Sequence, residues 1–379
     1  MSPGADLLLS CASARRNVAE TSLAEVQDWP ALMDAAEFHG LLQLLYWSIG
    51  RNPSHLLPAD VSQRLYQSYL ESARRSLFLS ASLAELSGQF EAANIPLIAL
   101  KGPPLAESLY GDAALRQSFD LDLLLQPADI AAALALVRRS GYELPPHLER
   151  LPLERLLGLD CEVTLHSRRG APIELHWAMA PDDYPFRFDA GLLWRSRQAA
   201  QIAGQVIQVL APECLLMYLC VHGAKHAWSR LHWLGDVARL VEKGVEWPAA
   251  LALAAETRCE RPFLLGLLLA HDLLDTVVPD HLVQRARANR TIVSAANETS
   301  ARLRRMPPIE PSSTARTAYN ARMARTTADT IRHWAAMFKA PKDADLQRCY
   351  LPPWLFFLYY PLRVQRLAVK YGRRLIGAA

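Results

Sequence analysis

Residues 116–125 read RQSFDLDLLL, an apolar run that carries two carboxylates one residue apart. On an extended strand successive side chains point to opposite faces. Asp120 and Asp122 therefore share one face, and Phe119, Leu121, Leu123 and Leu125 share the other. Two like charges held close on a half-buried strand raise each other's pKa and oppose folding unless a cation or a set of donors compensates them. A positive group is expected beside them.

The flanking segments fit a small sheet around this strand. Just upstream, IPLIAL (95–100) is nearly all apolar and reads as a buried strand that stops at Lys101-Gly102. Pro103 and Pro104 suit the first turn of a short helix that Gly111 closes. Downstream, PADIAAALALVRRS (127–140) predicts an amphipathic helix followed by Gly141. CEVTLH (161–166) and PIELHW (172–177) predict two more strands, joined by the polar, glycine-containing loop SRRGA. Their apolar faces hold Cys161, Val163 and Leu165, and Ile173, Leu175 and Trp177. The opposite faces hold Glu162, Thr164 and His166, and Glu174 and His176. Residues 95–177 thus form a small mixed sheet whose polar face bears Asp120, Asp122 and Glu174.

Around the sheet the periodicity is helical. Leu65, Tyr69, Ala73 and Leu77 recur at helix spacing within a run from about Ser22 to Asn94. A strand pair is expected near 201–210, one or two long helices over 212–244, and further helix to about 288. Residues 300–348 are richer in Arg, Thr and Ser, and the last thirty are aromatic and then basic. The fold class expected is α+β, divided as a helical N-terminal region (1–90), the sheet core (91–210), a helical domain closing the cleft (211–300) and a C-terminal extension (301–379).

A content of 51% hydrophobic and 21% charged residues excludes a disordered chain. Six scattered cysteines without a CxxC pair exclude a zinc ribbon and a disulfide framework, so reduced thiols in a cytoplasmic protein are expected. The N-terminus MSPGADLLLSCASARR lacks the apolar core of a signal peptide, and YLPPWLFFLYYPL (350–362) is too short and too proline-broken to span a bilayer. No recognised nucleic-acid motif is present.

Two acids on one strand with a third on its neighbour suit a divalent cation, and the strand end at Gly102 offers free backbone N–H groups to phosphate. The run from IPLIALKGPPLAESLYG through RQSFDLDLLL, then IELHW, then LLMYLCVHGAKHAWSRLHWLGDVARL, resembles the family of uncharacterised nucleotidyltransferases, relatives of the polymerase β type transferases. The resemblance implies a Mg²⁺ (or Mn²⁺) site at Asp120, Asp122 and Glu174, with Glu174 completing the site or helping to deprotonate an acceptor hydroxyl. It also implies an NTP, with ATP the first candidate, held at Lys101 and Gly102, with Lys225 and His222 of the HGAKH run and Arg116 as further nucleotide contacts. Asp236 would support them. Where the superfamily has Gly-Ser, this sequence has Lys101-Gly102, and the phosphate-contacting serine is absent.

The function implied is transfer of an NMP group from an NTP to an acceptor hydroxyl. The acceptor is open: a small molecule, a peptide or a protein, with tailoring in peptide or polysaccharide biosynthesis one setting. The alternatives are a non-catalytic nucleotide-binding, maturation or scaffold protein, and an antitoxin-like transferase acting on a partner protein. His222 and His226, four apart, lack the glutamate of a zinc-protease helix. Arg363, Arg366, Lys370, Arg373 and Arg374 lie among apolar residues at the C-terminus, a face for packing inward or for a protein partner or anionic surface.

Overall fold

The computed structural model describes residues 3–50, 57–181, 184, 190–339, 343–349 and 351–375. Seven strands build one sheet: β1 (Ile98–Ala99), β2 (Leu121–Leu124), β3 (Tyr142–Glu143), β4 (Glu162–Ser167), β5 (Ile173–His176), β6 (Arg197–Ile202) and β7 (Gln205–Leu210). Their order is β3-β4-β5-β2-β1-β7-β6, with β2 parallel to β5, β1 parallel to β7 and the other neighbours antiparallel. Helices make up most of the rest, so the chain is α+β as expected.

The ladders are shorter than the apolar runs that announce them. Only Ile98 and Ala99 of the 95–100 run form β1, because Pro96 has no N–H to give; Leu100 still donates to the Asp122 carbonyl at 2.9 Å. The β2 ladder begins at Leu121, which leaves Asp120 and Phe119 in the segment leading into it. Phe119 is accordingly not on the apolar face predicted for it: it is exposed, with the Arg75 guanidinium 4.5 Å above its ring. β3 and the helix Pro3–Ala12, whose Leu7, Leu8 and Leu9 are buried, add to the elements read from the sequence.

The sheet divides the interior in two. On one side Leu121, Leu123, Val163, Leu165, Ile173 and Leu175 pack against the C-terminal half of the 34-residue helix Ala59–Ala92 and the helix Ile130–Arg139, joined by Leu346, Phe356 and Tyr359. On the other, Ile98, Leu100 and Leu124 join the N-terminal helices and the helices Pro212–Lys225, Leu231–Lys243 and Glu260–Leu274. The acids of β2 and β5 face this second side, toward Pro212–Lys225. Arg363 is turned inward onto Asp345 at 2.8 Å; the side chains of Lys370, Arg373 and Arg374 lie outside the described residues. Among the described residues no helix is long and apolar enough to cross a membrane. All six cysteines are free thiols, and all but Cys349 are buried.

The turn between Pro212–Lys225 and Leu231–Lys243 is fixed by a wedge. Trp228, wholly buried, lies against Gly223 and Gly266: a Cβ on Gly223 would fall 2.5 Å from its ring, and one on Gly266 2.6 Å from Cys220 Sγ. A methyl at residue 223 must push against a rigid indole, so Gly223→Ala is expected to destabilise the chain by about 1–3 kcal/mol in chemical denaturation. A substitution without effect would mean that the wedge can shift.

Candidate active site

The parallel register of β2 and β5 and the antiparallel register of β4 and β5 generate the site. Asp122 stands opposite Glu174, which stands opposite Thr164; in the next row outward His176 stands opposite Glu162. Because side chains two apart share a face, these polar groups converge on one patch of the sheet. Above it lies a cleft of about 550 Å³, between the sheet and the helices Pro212–Lys225 and Leu231–Lys243. Lys101, Gly102, Arg116, Asp120, Asp122, Glu174, His222 and Lys225, the eight residues singled out in the sequence, all line it.

The expected positive group is present twice. Lys101 Nζ lies 3.0 Å from Asp122 Oδ1, and His176 Nε2 lies 3.2 Å from the same oxygen and 3.4 Å from Glu174 Oε2. The other ring nitrogen of His176 is 3.1 Å from Glu162 Oε2, which also meets Lys225 Nζ at 3.4 Å. The imidazole thus stands among three carboxylates. Burial alone would raise the Asp122 carboxyl, but Lys101 and His176 outweigh it and hold it well below the usual range. Burial likewise disfavours the cations, yet Asp122 raises Lys101, and the three carboxylates raise His176 well above an ordinary histidine. Among the described residues Asp120 has no such ion pair, and Lys101 and Arg116 offset its burial only in part. Burial, then the charges of Asp122 and Glu174, push it up to about 6.

That shift has a sign. An acid whose pKa is higher folded than unfolded opposes folding once ionised, so the cost is absent below about pH 4, grows through pH 6 and is full above it. Asp120→Asn removes it. In chelator-treated buffer its melting temperature is expected to exceed that of the wild type at pH 8 and to match it near pH 4; a constant difference would show that Asp120 is not held under charge strain.

Gly102 caps the helix Pro103–Tyr110 at φ 74°, ψ −144°, a conformation close to glycine-only, and lines the cleft beside Lys101. Arg116, read from the sequence as a nucleotide contact, has a partner behind the cleft. Although it lines the cleft, its guanidinium is engaged by Asp236 through contacts of 2.9–3.0 Å, and Tyr110 donates to the same carboxylate at 2.8 Å. Asp236 therefore locks Arg116 in place.

Sequence reading put Glu162 and His176 on the polar face without assigning them a role, although the strand alternation had already pointed to them. Among the described residues, the metal-capable group is Asp122, Glu174 and His176, whose ligand atoms lie within 4.8 Å of one another. With a neutral imidazole donating from Nδ1 to Glu162, the Nε2 lone pair would face the space between Asp122 and Glu174, where a proton or a cation can stand. These donors fit a divalent ion. His222 and His226 do not form such a group.

The chain matches the family described as uncharacterised nucleotidyltransferase over residues 25–275. No curated protein matches it. Among solved structures it is similar to the antibiotic-resistance factor ANT(2'')-Ia, at 15% identity over 47% of this chain and 90% of that one, with a TM-score of 0.33. It is also similar to an antigenic nucleotidyltransferase-like protein from Paracoccidioides brasiliensis, at 16% identity over 55% and 97% of the two chains, again with a TM-score of 0.33. The family match takes in more than half of the sequence, including every strand and the cleft they form, and the chain belongs to this family of nucleotidyltransferases.

Proposed function

We propose that this protein moves an NMP group from an NTP to an acceptor hydroxyl with the help of a divalent cation, releasing pyrophosphate. The observation that carries the proposal is the convergence, in one cleft, of the Asp122–Glu174–His176 donor set with Lys101, Lys225 and the Gly102 turn. Asp122, Glu174 and His176 would hold the ion, and Glu162 would orient the imidazole. A cation bound there supplies positive charge to the phosphoryl oxygens. The nitrogen donor suits Mn²⁺ at least as well as Mg²⁺, which prefers an all-oxygen set.

The chain's own groups supply the rest. Lys101 and the Gly102 N–H bind phosphate, since Pro103 and Pro104 have no N–H to add, and Lys225 adds a second ammonium across the cleft. The acceptor oxygen bonds to the α-phosphorus as the bond to the β-phosphate oxygen breaks. Of the carboxylates, Asp120 is half-buried and has a pKa of about 6, near the range suited to receive the acceptor's proton. The acceptor is a hydroxyl on a small molecule, a peptide or a protein side chain.

One observation favours a second reading, nucleotide binding without turnover: Gly102 occupies the place of the superfamily serine, and the ammonium of the neighbouring Lys101 is already paired with Asp122. Calorimetric titration of each NTP, with Mg²⁺, with Mn²⁺ and with chelator, combined with a pyrophosphate assay, separates the two. Metal-dependent binding with pyrophosphate release supports transfer, and binding without release supports the second reading. No binding of any NTP removes both.

A further inference from the structure

The helix Pro212–Lys225 presents more to the cleft than its lysine. Tyr218 and His222 lie one turn apart with ring centroids 5.9 Å from each other, and His226, just past the helix end, follows at 4.7 Å. Trp233, from the next helix, closes the row at 5.1 Å from His222 and 5.3 Å from His226. All four rings line the cleft. The row begins at the phosphate end, where Lys101 Nζ lies 6.0 Å from the Tyr218 ring centroid. From Tyr218 to His226 the chain rises about 12 Å at helical spacing, and Trp233 stands beside the half of the row farther from Lys101.

The two imidazoles make no side-chain hydrogen bond among the described residues, and burial, with Lys101 and Lys225 nearby, keeps both in the neutral form. Neutral rings with unused donors and acceptors, set beside an indole, offer a planar ligand both a stacking face and edge contacts.

We infer that this aromatic row is the nucleobase subsite of the NTP, with Trp233 as the stacking surface and His222 and His226 meeting the edge of the base. The inference rests on the nucleotidyltransferase reading above and deepens it: discrimination between an NTP and a bare polyphosphate resides in residues 222–233, away from the carboxylates.

The test compares Mn²⁺-NTP with Mn²⁺-tripolyphosphate on the full chain by calorimetry. Trp233→Leu is expected to weaken the NTP roughly five- to a hundredfold, the range for losing one base–aromatic stack, and to change tripolyphosphate by less than twofold. His226→Phe, which keeps a flat ring, is expected to retain NTP affinity within a few-fold where His226→Ala does not. Unchanged NTP binding by Trp233→Leu, or equal weakening of both ligands, overturns the subsite. Wild-type protein that binds tripolyphosphate as tightly as NTP overturns the subsite alone, whereas wild-type protein that binds neither removes the parent reading as well.

Discussion

Asp120→Asn is expected to lower pyrophosphate release from an NTP by about a hundred- to ten-thousandfold, the range for losing a positioned general base, with the fold intact. Metal-dependent NTP binding should change little, because the donor set of Asp122, Glu174 and His176 is untouched. Asp122→Asn should behave differently. Its carboxylate is almost fully buried and compensates both Lys101 and His176. Removing one partner of a buried ionic cluster costs about 3–5 kcal/mol, since the remaining charges stay desolvated. This variant should therefore lose stability and metal-dependent binding together. Pyrophosphate release with water or a small polyol as acceptor, read beside a denaturation curve, checks both. If Asp120→Asn turned over like the wild type, the proton-accepting role would be gone; if Asp122→Asn were as stable as the wild type, the ionic cluster would not be part of the fold's support.

The second large effect lies behind the site. Arg116 and Asp236 have side-chain exposures of 5% and 0% and are joined by a forked contact. Geometry of this kind recovers much of the desolvation cost of a buried pair, but neither ion can be left alone. Asp236→Asn is expected to destabilise by about 3–5 kcal/mol, seen as a lower denaturation midpoint. A double change, Arg116→Met with Asp236→Leu, should recover part of the loss because it leaves no orphaned charge. Equal stability of Asp236→Asn and wild type would show that water reaches the pair. The effect should appear without nucleotide or metal.

The strand alternation made the polar face legible, because a period of two needs only local sequence: Asp120, Asp122, Glu162, Glu174 and His176 could all be placed on it. Which of them meet depends on register between strands, and no local pattern encodes that β2 lies beside β5 with Asp122 opposite Glu174. For the same reason His176 went unassigned as the centre of the cluster. The pairing of Arg116 with Asp236 was not legible, because the two lie 120 residues apart. The HGAKH run brought His222 and Lys225 into the reading, but not Trp233 beside them, which depends on the turn at residues 226–230. The Lys101-Gly102 step was legible twice over, as a strand stop and as a helix start, and both features survive in the fold.

The indole wedged between Gly223 and Gly266 bears on the energetics of recognition. Side chains that must be ordered when a ligand arrives subtract from affinity, each by about 0.5–1.5 kcal/mol. Trp228 already fixes the turn from which His226 and Trp233 project, so that ordering is completed when the chain folds. Association with a planar ligand should then proceed as docking onto a standing wall, and loosening the wedge should appear first as a faster off-rate.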